Sequence, residues 1–205
     1  MTTTLSFIDT KGGTGKTTAT MYFAAVLHNR GFTCTVVDAD PQGSATYWRD
    51  RADDAGNPLP FEVRSANIRD LQRGSWETDY VLIDTPPGHG DILNAARDAS
   101  DLVVVPTTPA ELDVERTWAT LDVMGSAPVV VLLGNVDRRS TLYRDAVDAF
   151  TDTESADDVV LLSEHIPYRT AIKRGPGTLP VSFYGYDKAV DEVLGLLAAL
   201  TQEEA

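Results

Sequence analysis

Three features of the sequence predict an α/β fold: a single doubly wound, mostly parallel sheet flanked by helices. Apolar runs of strand length alternate with stretches of helical periodicity along the 205 residues. The central runs, "YVLID" (80–84), "LVVV" (102–105) and "VVVLLG" (129–134), are continuously hydrophobic, as strands covered on both faces are. The first run leads through a glycine-rich turn into a helix, the connection of a phosphate-binding βα unit. The length suits one domain, 1–205, with a substantial core.

Each element follows from local pattern. Leu5–Asp9 is the first strand, and the helix Thr17–Arg30 after the turn carries apolar residues at helical spacing until Gly31 stops it. Thr33–Asp38 is the second strand, and Cys34 within it reads as a small core residue. A helix over Ser44–Arg51 follows. Between Trp48 and Arg73 the pattern is vague, and "DDAGNPLP" (53–60) reads as a solvated loop. Strands Tyr80–Asp84, Leu102–Val105 and Val129–Gly134 then alternate with helices Asp91–Asp98, Leu112–Met124 and Arg139–Phe150. A weaker strand, Val159–Leu162, precedes the last helix, Asp187–Leu200.

Several function classes are excluded. No apolar run approaches the roughly 18 residues of a membrane span, and no signal peptide is expected before the first strand. One cysteine rules out an intrachain disulfide framework or four-cysteine metal site. His28, His89 and His165 have no metal-like spacing; His89, beside the third strand's loop, has no assigned role.

The chemistry concentrates at the carboxyl ends of the strands, where doubly wound sheets bind ligands. The turn reads "DTKGGTGKTT", with Thr10 where the general phosphate-loop pattern has its first glycine. Successive N–H groups of Gly12, Gly13, Thr14, Gly15 and Thr18 would cradle phosphates. Lys16 would reach the β/γ-phosphates and the Thr17 hydroxyl would ligate Mg²⁺. The second strand ends in "VVDADPQG" with Asp38 and Asp40; the third ends in "IDTPPG" with Asp84, a second Mg²⁺ element. Asp38 is equally placed to cap the turn that follows it. Lys11, at the head of the loop, is a second lysine where one suffices.

Together "KGGTGKTT", "VVDADPQGSA" and "VLIDTPPG" resemble the deviant Walker A phosphate-loop ATPases of the ParA/MinD type. The likeness is greatest to small ParA partition ATPases without an N-terminal DNA-binding extension. "VVVPTTPAELDVERT", with Pro109 and Asp113, and the C-terminal helix resemble later parts of the family more loosely. The resemblance implies a cytoplasmic, nucleoid-associated ATPase that uses ATP and Mg²⁺ and segregates plasmid or chromosomal DNA. It implies a homodimer with ATP sandwiched between subunits and Lys11 contacting the partner's phosphates. It further implies Asp40 orienting the attacking water, Asp38 near the Mg²⁺, Asn135 at the adenine, and a ParB-like centromere-binding partner. Asn135 is also an ordinary turn former. A surface lysine beside the loop is the plain alternative for Lys11.

Charge departs from what that family implies. The chain has 31 acidic and 17 basic residues, a net charge of −14, whereas non-specific DNA binding rests on Lys and Arg. Only "HIPYRTAIKRGPG" is locally basic, and it supplies the candidate DNA contacts Arg169, Lys173 and Arg174. A solvated helix explains them as well. The acidic tail "AVDEVLGLLAALTQEEA" lacks the basic amphipathic face of a membrane-binding helix, so no membrane is expected. Two further readings stay open: positioning of a non-DNA cargo, and a metabolic ATP-dependent enzyme of the same fold. Lys11 and "DADPQG" favour the ATP-gated switch.

Overall fold

In a computed structural model, residues 2–88, 90–152 and 159–203 are described. His89 lies outside them. The chain runs β1 (Thr3–Phe7), α1 (Lys16–Asn29), β2 (Cys34–Asp38), α2 (Ser44–Asp54), β3 (Glu62–Ser65), α3 (Ile68–Arg73) and β4 (Tyr80–Asp84). It continues α4 (Asp91–Asp98), β5 (Leu102–Thr107), α5 (Glu111–Asp122), β6 (Val129–Leu133) and α6 (Thr141–Thr151). It closes with β7 (Val160–Leu161), α7 (Thr170–Lys173) and α8 (Tyr186–Glu203).

The seven strands form one parallel sheet in the order β3-β2-β4-β1-β5-β6-β7. Alternation explains the continuous apolar runs. Val36, Leu82 and Val104 face the layer containing α1, α2 and α8, while Val37, Val81, Ile83 and Val103 face α3, α4 and the end of α5. The central strands therefore bury both sides, and α1, buried from Ala19 through Leu27, is the central helix of the first layer.

Sequence reading misses β3 and α3, and gives no bounds to the helix in the basic segment, which is the four-residue α7. In β3, at the sheet edge, only Val63 is buried, so the period is hidden by exposed Glu62, Arg64 and Ser65. The first strand lies at Thr3–Phe7 rather than Leu5–Asp9, because Thr3 and Thr4 already pair with Tyr80 and Val81. Ile8 and Asp9 belong to the turn out of the strand. The order places β1 between β4 and β5, so the chain leaves β1 toward one half of the sheet and returns at β5 in the other. The crevice at such a reversal is the usual ligand position.

Candidate nucleotide site

The turn after β1 wraps the start of α1. Gly13 (φ 83°) and Gly15 (φ 102°) hold left-handed backbone that a side chain would strain. Asp9, fully buried, anchors the turn: its Oδ1 accepts from the Lys11 N–H (3.0 Å) and the Thr120 hydroxyl (3.3 Å). Burial raises the Asp9 pKa, and the Lys11 N–H is the leading influence against it. Asp9 and Thr120 are supports of the turn that sequence reasoning missed, since neither belongs to the phosphate-loop pattern.

Lys16 is buried, and its Nζ donates to the carbonyls of Asp9 (3.1 Å) and Lys11 (2.9 Å). Burial lowers its pKa from 10.5, and the charges of Asp9, Asp84 and Asp40 oppose that shift. Lysine and carboxylates thus share one small, poorly hydrated space. Thr14 lies in the same turn, its buried hydroxyl close enough to Asp9 to lower that acid's pKa but completing no bond of ordinary geometry. A phosphate oxygen is the acceptor such a hydroxyl lacks.

The two strand-end acids differ. Asp38 and Asp84 face each other across the β2–β4 pairing, and Phe7 pairs with Asp84 on the other side. Asp38 accepts the Thr46 N–H at 2.7 Å and the Asp40 N–H at 3.3 Å, so it holds the start of α2. That is the capping role. Asp84 is fully buried, and neither carboxylate oxygen has a hydrogen-bond partner. Burial pushes its pKa up to about 7; the neighbouring Thr17 hydroxyl pulls the other way without completing a bond of ordinary geometry. A buried carboxylate left this way fits a cation, bound directly or through water, and Thr17 beside it supplies a hard oxygen ligand of the kind Mg²⁺ takes.

The loops on either side are tied to the turn. The Thr85 hydroxyl donates to the Phe7 carbonyl (2.7 Å), and the Gly88 N–H donates to the Thr10 carbonyl (2.7 Å). Asp40 is half-buried, and its Oδ1 accepts the Gln42 N–H at 2.8 Å, closing the loop before α2.

A cleft of about 400 Å³ continues from Gly13, Thr14, Gly15 and Thr18 toward Asn135, Pro167 and Ile172. Asn135 follows β6 in left-handed backbone (φ 57°) and lines this cleft together with the glycine turn. Arg169 and Lys173 line this cleft too, so two of the candidate DNA contacts border the nucleotide space. Arg169 also lines a wider groove of about 920 Å³ with Arg138, Arg139 and Tyr168, and Lys173 sits 4.7 Å above the Tyr168 ring. Arg174 is exposed just beyond α7.

Residues 5–179 match the family described as the CobQ/CobB/MinD/ParA nucleotide binding domain. The chain belongs to that family. The maintenance of carboxysome distribution protein A of Gloeobacter kilaueensis is 36% identical over 151 residues, 71% of this chain and 68% of that protein. Protein VirC1 of Rhizobium radiobacter is 35% identical over 123 residues, 57% of this chain and 53% of that one. Among solved structures, the ATP complex of a Cyanothece McdA variant superposes with a TM-score of 0.74 at 18% identity, over 95% of this chain and 96% of that one. Among the described residues no helix is long and apolar enough to cross a membrane. His165 is buried, its Nδ1 2.8 Å from the Tyr143 hydroxyl, and His28 is exposed at the end of α1.

Proposed function

We propose that this protein is a Mg²⁺-dependent ATPase of the ParA type, a switch that dimerises around ATP and uses that state to position a cargo along DNA. The observation that carries it is a buried Lys16, held on backbone carbonyls of the glycine turn, within electrostatic reach of a buried Asp84 carboxylate that has no hydrogen-bond partner. Bound ATP supplies the phosphoryl group, and Mg²⁺ neutralises charge developing on its oxygens. Lys16 would exchange its two carbonyl partners for phosphate oxygens, Thr14 would donate its free hydroxyl, and Thr17 and Asp84 would hold the metal. Asp38 would lie beside the metal, since each of its oxygens accepts one backbone N–H and keeps a lone pair free. Asp40 orients the attacking water. Positioning that water in line is the role assigned to it, rather than strong-base chemistry. Asn135 borders the base.

Arg169, Lys173 and Arg174 are proposed to contact DNA phosphates when two copies face one side. Their place beside the cleft supports nucleotide control of that surface. The partner would be a ParB-like protein and the location the nucleoid. The 36% identity to a carboxysome distribution protein favours a second reading, in which the cargo is a protein assembly and DNA is only the track. The metabolic alternative gives no use for Lys11.

Titration with a fluorescent ATP analogue tests the site. Lys16→Ala is expected to lose Mg²⁺-dependent binding by at least about 100-fold, since a charged contact in a desolvated site is removed. Unchanged affinity would remove the phosphate-loop assignment.

A further inference from the structure

Lys11 is engaged at three points within its own chain. Its N–H donates to Asp9, its carbonyl accepts from Lys16, and its ammonium pairs with Asp113 of α5. Asp113 is 6% exposed, and its second oxygen accepts the Thr108 hydroxyl at 2.5 Å. The neighbouring Leu112 is 68% exposed. The first turn of α5 thus turns an apolar residue outward and an acid inward, the reverse of ordinary amphipathic burial. An acid in that position requires a cation, and among the described residues Lys11 is the one paired with it.

We propose that Asp113 is a positioning residue that holds Lys11 in cis, so that the lysine reaches a second copy's nucleotide only when this ion pair opens. The proposal rests on the ATP-dependent dimer inferred above. Opening the pair leaves a nearly buried carboxylate with only the Thr108 hydroxyl, and that loss opposes association. Lys11 itself is 39% exposed in its side chain, which moderates the pair's strength and leaves it able to open. A shallow hollow of about 510 Å³ lined by Thr10, Lys11, Gly12, Leu112 and Arg116 lies at this spot. Two cations and an exposed leucine there suit the phosphates and surface of an identical subunit. Asp113 thereby sets the threshold of ATP and protein at which the switch closes.

The test combines association with lysine reactivity. Sedimentation in Mg²⁺ and a non-hydrolysable ATP analogue should place half-dimerisation of Asp113→Asn at about tenfold lower protein concentration than wild type. In a Lys11→Ala background the same substitution should change nothing, a result that a merely structural role for Asp113 would not produce. Asp113→Ser serves as the second variant should the asparagine fold poorly. Independently, Lys11 of the nucleotide-free protein should react faster with an amine-acylating reagent in Asp113→Asn, read by peptide mass spectrometry. Equal labelling of Lys11 in both proteins, or an effect of Asp113→Asn that persists without Lys11, overturns the proposal. Faster labelling with no ATP-dependent dimer of any variant instead overturns the dimer and leaves the cis hold on Lys11 standing.

Discussion

Asp84 shows what burying a carboxylate costs. Its carboxyl is pushed to about 7 from 3.8 by burial, so the folded chain binds a proton that the unfolded chain has released across that interval. The unfolded state then holds fewer protons, and stability from this group falls as pH rises from about 4 to about 7. The interval sets an upper bound of ~4 kcal/mol. Asp84→Asn cannot ionise, so in nucleotide-free protein its melting temperature should exceed wild type by several degrees at pH 8 and match it near pH 4. With Mg²⁺ and ATP the order should reverse, because only the carboxylate gains a metal. Thermal melts at the two pH values check both signs; a variant less stable at pH 8 without nucleotide would sink the argument. Asp40→Ala should separate binding from chemistry in the same site. Nucleotide affinity should stay within about threefold while hydrolysis falls about 100-fold, as expected of a group that orients water. A phosphate-release assay beside a binding titration decides it, and parallel losses in both would assign Asp40 to binding.

Elements that bury two faces were legible, and those that bury one were not. The runs at 80–84, 102–105 and 129–134 became β4, β5 and β6 with boundaries close to expectation, because nothing polar interrupts a strand covered on both sides. The edge strand β3 shows only Val63 to the core, and α3 has six residues with Leu71 buried. Yet Asn67 and Asp70 form a reciprocal capping box at the start of α3, a signal present in "NIRD" that spacing alone could have found. Site acids at strand ends were readable for the same reason the strands were. The pairing made by Asp113, which the sequence marks only as part of a family-like segment, and the role of Thr120 were not, since each meets the glycine turn from about a hundred residues away, and Thr108 acts only through Asp113. Helix α2 illustrates such a distant join. Its Trp48 is buried and donates through Nε1 to the Thr178 carbonyl at 2.8 Å, binding α2 to the segment after α7. Gly177 in that segment has φ 90°, and a Cβ there would lie 2.7 Å from the Arg51 Cβ. Gly177→Ala should therefore cost about 1–3 kcal/mol, from backbone strain and overpacking together. Urea denaturation measures it, and an unchanged midpoint would mean that this join yields freely.

For the whole molecule, the unresolved tension is between a net charge of −14 and a proposed DNA track. Long-range repulsion from DNA opposes approach at low salt, while the local cations Arg169, Lys173 and Arg174 attract phosphates at contact. One copy offers too few cations to prevail. A dimer places two sets on one body, and the two attachments reinforce each other through their fixed spacing. DNA binding should then require ATP and appear for unrelated duplexes alike. Affinity should fall with salt at a log–log slope of roughly −0.9 for each phosphate neutralised, or about −5 if all six cations engage. Repulsion by the acidic surface is screened over the same range, so the measured slope should be shallower than that count. Arg169→Glu with Lys173→Glu should abolish binding. Because both residues also border the nucleotide cleft, ATP affinity must be measured in the same variant, and a loss there would assign them to the nucleotide instead. Fluorescence anisotropy with two unrelated duplexes, in ATP and in ADP, across a series of salt concentrations makes the decision. If no ATP-dependent binding occurs at any salt, the DNA track is lost, and the protein remains a nucleotide switch whose cargo and surface must both be sought among proteins.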